Sequence, residues 1–169
     1  MSDHIRSYAP GDEQAVVEQA LAAWAPVFAS MEAVLGRSMS VLLHGEDWRP
    51  YQEAAVRRTL GSQGMRTWVA EAGGGVVGFV SANVADPDRG LGEVVMLAVE
   101  PGHQGRGRGT ALTETATAWL AEQGMRVAMI ETGGDPGHAP ARRVYEKAEY
   151  RPMPVARYFR ALEDGPPHL

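Results

Sequence analysis

The order of hydrophobic and polar positions divides the chain into two textures, with the change near Thr67. Ile5 to Tyr8 reads as a short first strand, ended by Pro10-Gly11. Asp12 then stands as an N-cap before Val16, Val17, Ala20, Leu21 and Trp24, which recur at helical spacing. Residues 25–48 are less regular, with Pro26, Phe28, Met31, Val34, Leu35 and Met39 scattered among polar positions. A second helix is expected from Trp48 or Pro50 to about Leu60, stopped by Gly61 and Gly64.

From Thr67 onward short apolar runs alternate with turn clusters. Residues 67–71 read as a strand, Gly73-Gly74-Gly75 as a tight turn, and Val76 to Val84 as the hairpin partner. Asp86-Pro87-Asp88-Arg89-Gly90 is a turn. Glu93 to Val99 is the next strand, with Glu93, Val95, Leu97 and Val99 on one face by simple alternation. A loop over 101–109 leads into a helix over 110–123, whose inner stripe is Leu112, Ala116, Trp119 and Leu120. Val127 to Glu131 is another strand, followed by a glycine-rich loop over 132–137 and a helix over 139–148. Tyr150 and the run from Val155 to Leu162 suggest two last strands, and residues 163–169, with Pro166 and Pro167, a flexible tail. There is no internal repeat and no linker. The pattern therefore describes one α/β domain over residues 1–162.

Composition narrows the chemistry. The 169 residues include no cysteine, which excludes disulfides, thiolate metal sites and cysteine nucleophiles. A net charge of −5 argues against nucleic acid as a partner and suits cationic small molecules. No span approaches the ~20 apolar residues of a membrane helix, and the first residues carry no secretory pattern, so a cytoplasmic, membrane-free protein is expected. The histidines show no paired metal-ligand spacing, so no metal is expected.

The most informative segment is the strand Val94 to Val99 followed by Gln104-Gly105-Arg106-Gly107-Arg108-Gly109-Thr110. Glycines allow backbone N–H groups to turn toward a ligand without Cβ interference, and a helix N-terminus adds unpaired donors and partial positive charge. Such a loop suits a phosphate. A P-loop would need lysine after its last glycine, where Thr110 stands, and the dinucleotide fingerprint would need a glycine at 110.

Gln104-x-x-Gly107-x-Gly109 after a strand ending Leu97-Ala98-Val99 resembles the GNAT superfamily of N-acetyltransferases. A second match follows in order: Ala141-Arg142-Arg143-Val144-Tyr145-Glu146-Lys147-Ala148-Glu149-Tyr150 looks like that superfamily's last helix. The resemblance covers residues 67–162 well. It departs at His138, where the family often has Asn, and at Glu149, which replaces a glycine.

The resemblance implies a mixed, mainly antiparallel sheet of 6–7 strands flanked by about four helices, splayed between the strands starting near Glu93 and Val127. Residues 1–66 would supply a first strand and the substrate-side helices, and 67–162 the acetyl-CoA-binding core. It implies acetyl-CoA as acyl donor, held by Leu97, Ala98 and Val99 through the strand backbone. Gln104, Gly105, Arg106, Gly107, Arg108, Gly109 and Thr110 would hold it through the loop, with His138 and Tyr145 beside it. Tyr145 would act as general acid toward the departing thiolate, because a phenol with pKa ~10 stays protonated at neutral pH. Without the resemblance, Tyr145 reads as a core residue on a stripe with Ala141, Val144 and Ala148. Glu93 is the first candidate for general base and Glu131 the second.

The acceptor would be a small-molecule or peptide amine, approaching past residues 24–50. There Trp24, Phe28, Met31, His44 and Trp48 are either lining or core, and Glu32, Glu46 and Asp47 favour a cation. A homodimer is compatible with the resemblance. The alternative is a non-catalytic acyl-CoA-binding sensor or interaction module, in which the loop remains but Glu93 and Tyr145 are dispensable.

Overall fold

The computed structural model describes residues 4–162; the tail expected at 163–169 lies outside them. One sheet holds β1 (His4–Ser7), β2 (Arg66–Ala72), β3 (Gly75–Asp86), β4 (Leu91–Val99) and β5 (Val127–Ile130) in that spatial order. All neighbours are antiparallel except β4 and β5, which run parallel. The parallel step requires a crossover, supplied by α4 (Arg108–Glu122). On the other face lie α1 (Glu13–Leu35), α2 (Arg37–His44) and α3 (Trp48–Leu60), and α5 (Ala139–Lys147) packs on α4.

Two apolar clusters sandwich the sheet. Trp68, Ala70, Val80, Val94, Leu112, Ala116 and Leu120 fill the α4 side. Val16, Val17, Ala20, Val56, Val69, Phe79 and Ala98 fill the α1–α3 side. The hairpin between β2 and β3 closes through Gly73 and Gly74, both at positive φ (62° and 87°), as a two-residue turn matched to strand twist demands.

Three expectations need correction. The scattered pattern over 25–48 folds as helix except at Gly36 and residues 45–47: α1 runs through Pro26 to Leu35, and α2 starts at Arg37 after Gly36 (φ 81°). Packing overrides the lost hydrogen bond at Pro26, because Phe28 is buried and stacks on Trp48 of α3 with centroids 4.3 Å apart. Second, the sheet has five strands among the described residues, not 6–7. The segment 151–162 is exposed and forms no strand; Pro152 and Pro154 can offer no ladder donor there.

Third, simple alternation fails along β4. Ser81 of β3 pairs with Met96, but Ala82 pairs with Val94, so Val95 is an extra residue in a β-bulge. Beyond it Leu97 and Val99 lie with Val94 under α4, whereas Met96 and Ala98 face α1. Glu93, adjacent to Val94, therefore points to the α1 side, not to the face of Leu97 and Val99.

Gly92 shows how closely α4 sits on β4. A Cβ built there would strike both methyls of Leu120, the farther at 2.9 Å, and Leu120 is itself buried. Gly92→Ala should cost about 1–3 kcal/mol by overpacking, read as a lowered urea midpoint with unchanged m. An unchanged midpoint would mean that the α4–β4 contact yields freely. Among the described residues, no helix is long and apolar enough to cross a membrane.

Candidate functional site

The parallel pairing of β4 and β5 covers only Leu91 to Val94 against Val127 to Ile130. On its other edge β4 stays paired with β3 as far as Val99. Past Val94 the two central strands part, and residues 95–99 face the gap with no β5 partner. The bulge at Val95 lies at the point of parting. The splay expected near Glu93 and Val127 is therefore present, with backbone hydrogen-bonding capacity along one wall.

The strand then enters the 101–109 loop. Gln104 donates from Nε2 to the Val99 carbonyl at 2.8 Å, which ties the loop to the strand end. Gly105 and Gly107 both have positive φ (74° and 80°), and a Cβ at either would meet nothing within 4 Å. Their lack of a side chain is set by backbone conformation and leaves open space above the loop. Gly107 is the N-cap of α4, and Ala111 N–H is the first to bond back, to the Gly107 carbonyl. The N–H groups of Arg108, Gly109 and Thr110 are thus the first-turn donors of a 15-residue helix, an arrangement suited to a phosphate.

The two arginines differ in place. Arg106 is exposed at the loop surface. Arg108 is buried, and its guanidinium donates to the His103 carbonyl at 3.0 Å, so it braces the loop from within. Gly109 serves packing: a Cβ there would press on Val144 of α5 at 3.2 Å. The loop and the helix carrying Tyr145 are thereby joined directly.

Tyr145 lies in α5, one residue past that contact. Burial, with a smaller contribution from Tyr150, pushes its phenol up to about 12. It remains a neutral proton donor through the physiological range. The Tyr150 hydroxyl is engaged with Thr117 of α4 at 2.7 Å. Glu149 takes φ 64°, the left-handed conformation that the missing glycine would have accepted freely.

Glu93 is half-buried opposite Asn83 of β3 and level with Met129 of β5, where the strands begin to part. Glu131 just follows β5, is exposed, and is ion-paired with Arg157. Its carboxylate already has a cation.

His138 belongs to a cluster that sequence reasoning missed. Its Nδ1–H donates to Asp135 Oδ1, and Ser30 of α1 donates to Asp135 Oδ2 at 2.6 Å. Gly137 N–H in turn donates to Ser30 Oγ at 2.9 Å. Arg142 of α5 closes the loop by donating to the carbonyls of Gly133 (2.6 Å) and Asp135 (2.9 Å). Burial alone would raise the Asp135 carboxyl; the hydrogen bonds from Ser30 and His138 more than offset it and hold it below the usual carboxylate range. Asp135-Pro136-Gly137 carries a turn signal, but Ser30, 105 positions away, carries none.

Of the expected substrate wall, Phe28 is buried, and Trp24, Met31, His44 and Trp48 are half-buried. Trp24 packs edge-on to Phe79 at 6.3 Å, and Phe28 is enclosed by Trp48 and His44. Burial pulls the His44 imidazole down. Glu32 and Glu46 both pair with Arg37, and Asp47 pairs with Arg49 while capping α3. These pairs are exposed, and two of the three carboxylates share the single Arg37, so the stretch keeps a negative balance.

Comparison with known proteins agrees with this geometry. The family model described as "Acetyltransferase (GNAT) family" matches residues 31–150. A mycothiol acetyltransferase from Tsukamurella paurometabola is 34% identical over 146 residues, which is 85% of this chain and 46% of that protein. N-acetyltransferase 8 from Mus musculus is 39% identical over 77 residues, 44% of this chain and 34% of that protein. The chain thus spans about half, or less, of the length of these relatives. Among solved structures, the PaiA N-acetyltransferase from Thermoplasma acidophilum, in complex with coenzyme A, superposes with TM-score 0.62 at 15% identity, covering 87% of this chain and 89% of that one. An aminoglycoside N-acetyltransferase from Acinetobacter haemolyticus gives 0.65 at 12%, covering 95% and 99%. Those two likenesses concern the fold; the family match adds the sequence, and together with the parted strands and the glycine loop it means that this chain belongs to the acetyltransferase (GNAT) family.

Proposed function

We propose that the domain is an acetyl-CoA-dependent N-acetyltransferase, moving an acetyl group to a primary amine by direct attack within a ternary complex. The observation that carries this is the open edge of β4 running without interruption into a loop of left-handed glycines and a helix N-terminus. An extended amide-bearing arm ending in a pyrophosphate needs such a sequence of groups: strand backbone first, then converging N–H donors. The open space over Gly105 and Gly107 admits phosphate oxygens close to the backbone. Acetyl-CoA supplies an activated thioester carbonyl.

Toward it the chain offers a neutral phenol at Tyr145 to protonate the departing sulfur and a carboxylate at Glu93 to take a proton from the attacking nitrogen. The relatives' names, mycothiol acetyltransferase and N-acetyltransferase 8, support acetyl transfer, and the aminoglycoside enzymes of the same fold support a small polar amine as acceptor.

The test combines calorimetry with thiol release. The wild type should bind acetyl-CoA and release free thiol with at least one member of an amine panel. Gly107→Val forces a β-branched residue into φ 80° and sets its side chain into the open space, so acetyl-CoA affinity should fall more than tenfold while the fold survives. Unchanged affinity in folded Gly107→Val would remove the loop from the donor site. Tight binding with no turnover across the panel would mark a sensor instead.

A further inference from the structure

An alkylamine arrives as an ammonium ion and must lose two protons to become an amide, one before attack and one from the attacking nitrogen. The carboxylate at Glu93 accounts for one. We propose that His138, oriented by Asp135, is the acceptor of the first proton, taken from the incoming ammonium. The proposal rests on the acetyl-transfer function argued above and adds a residue to it.

Three features of the structure point to this. First, the tautomer is fixed. An ionised carboxylate only accepts hydrogen bonds, so the contact with Asp135 requires hydrogen on Nδ1 and leaves the Nε2 lone pair free. Among the described residues, Nε2 has no partner. Asp135 then stabilises the imidazolium that forms, the arrangement by which a carboxylate makes histidine a base.

Second, the pair is rigidly built. Ser30 and the Gly137 amide hold Asp135 from one side, and Arg142 holds its backbone from the other. A Cβ at Gly133 would collide with both His138 and Asp135, and one at Gly137 would lie 2.5 Å from Ser30 Cβ. The loop thus has glycine where any side chain would break the cluster.

Third, the placement is right. The loop follows β5, past the last β4–β5 pair where the strands part, and is pinned to α1, the helix whose C-terminal half is expected to border the acceptor. His138 is the N-cap of α5, seven residues and about 10 Å before Tyr145 along the same side of the helix. Among the described residues, the charged groups hydrogen-bonded into this loop are Asp135 itself and Arg142 of α5, and α1 contributes the Ser30 hydroxyl.

The proton balance closes. Nε2 takes one proton from R–NH3⁺ and returns it to water. The free amine forms the C–N bond as the C–S bond breaks; Glu93 takes the second proton, and Tyr145 gives one to sulfur and is reprotonated at Glu93's expense through solvent.

Two measurements test the assignment. Nitrogen-15 correlation spectra of the wild-type protein should place the hydrogen of the neutral His138 imidazole on Nδ1; the opposite tautomer overturns the proposal without reference to turnover. His138→Gln should lose about 10²-fold in kcat/KM for an alkylamine at neutral pH and saturating acetyl-CoA; a deficit carried by acetyl-CoA affinity alone would overturn the proposal. The loss at saturating acetyl-CoA should close as the pH approaches the amine's own pKa of ~10, where the ammonium is already gone. A purely structural role predicts a deficit that stays constant with pH, and this result, or no deficit at all, overturns the proposal. Failure of the wild type to release thiol with any amine would overturn the transfer function itself, and this step with it.

Discussion

Tyr145→Phe is expected to fold, to bind acetyl-CoA with near wild-type affinity, and to lose 10²- to 10⁴-fold in kcat, the usual worth of a positioned general acid. The substitution removes one oxygen from a mostly buried ring, so packing changes little. It leaves the thiolate without a neutral donor held up to about 12 by burial. The same burial gives a second readout. Because the folded phenol ionises above its unfolded value of ~10, the stability it contributes is complete below pH ~10 and is lost as pH rises toward about 12. Burial raises Tyr8 and Tyr150 as well, so an ultraviolet titration should show one fewer late-ionising tyrosine in Tyr145→Phe than in the wild type, the one lost being the latest. An unaltered kcat would return Tyr145 to the core beside Val144 and Ala148.

How much of this was legible in the sequence depends on range. Elements governed by local rules were readable: the Gly73-Gly74 turn, the stop at Gly61, the glycine loop before α4 and the α5 motif all carry their signals within a few residues. Where tertiary contacts decide, local pattern misled. Pro26 and scattered apolar residues look irregular, yet Phe28 stacked on Trp48 sustains the helix through them. Alternation placed Glu93 with Leu97 and Val99, and a single extra residue at Val95 reversed that assignment, since a one-residue slip exchanges sheet faces. Val155 to Leu162 has the residue types of a strand, but its backbone finds no partner among the described residues.

The candidate site divides the same way. The glycine loop over 101–109 is contiguous, so it could be read directly. Roles within it could not: Arg106 and Arg108 look equivalent in sequence, yet one is exposed and the other braces His103 from inside. Gln104 turns its amide inward to Val99. The Ser30–Asp135–His138 cluster joins α1 to a loop 105 positions later, and no spacing rule announces such a contact.

Glu93→Gln should separate the two proton-accepting steps. Glu93 is half-buried where β4 and β5 begin to part and points to the α1 side, beside Asn83 and Met129. The amide is nearly isosteric, so folding and acetyl-CoA affinity should hold. It cannot accept the proton released by the attacking nitrogen, so turnover at neutral pH should fall by about 10²-fold or more. Raising the pH removes the ammonium but leaves the proton on the nitrogen after attack, so recovery should be partial, where His138→Gln recovers fully. The discriminating measurement is the ratio of wild-type to variant kcat/KM across pH for both proteins. Two ratios that converge alike at high pH would place both residues on the first proton, and full activity of Glu93→Gln at neutral pH would leave the second proton to water.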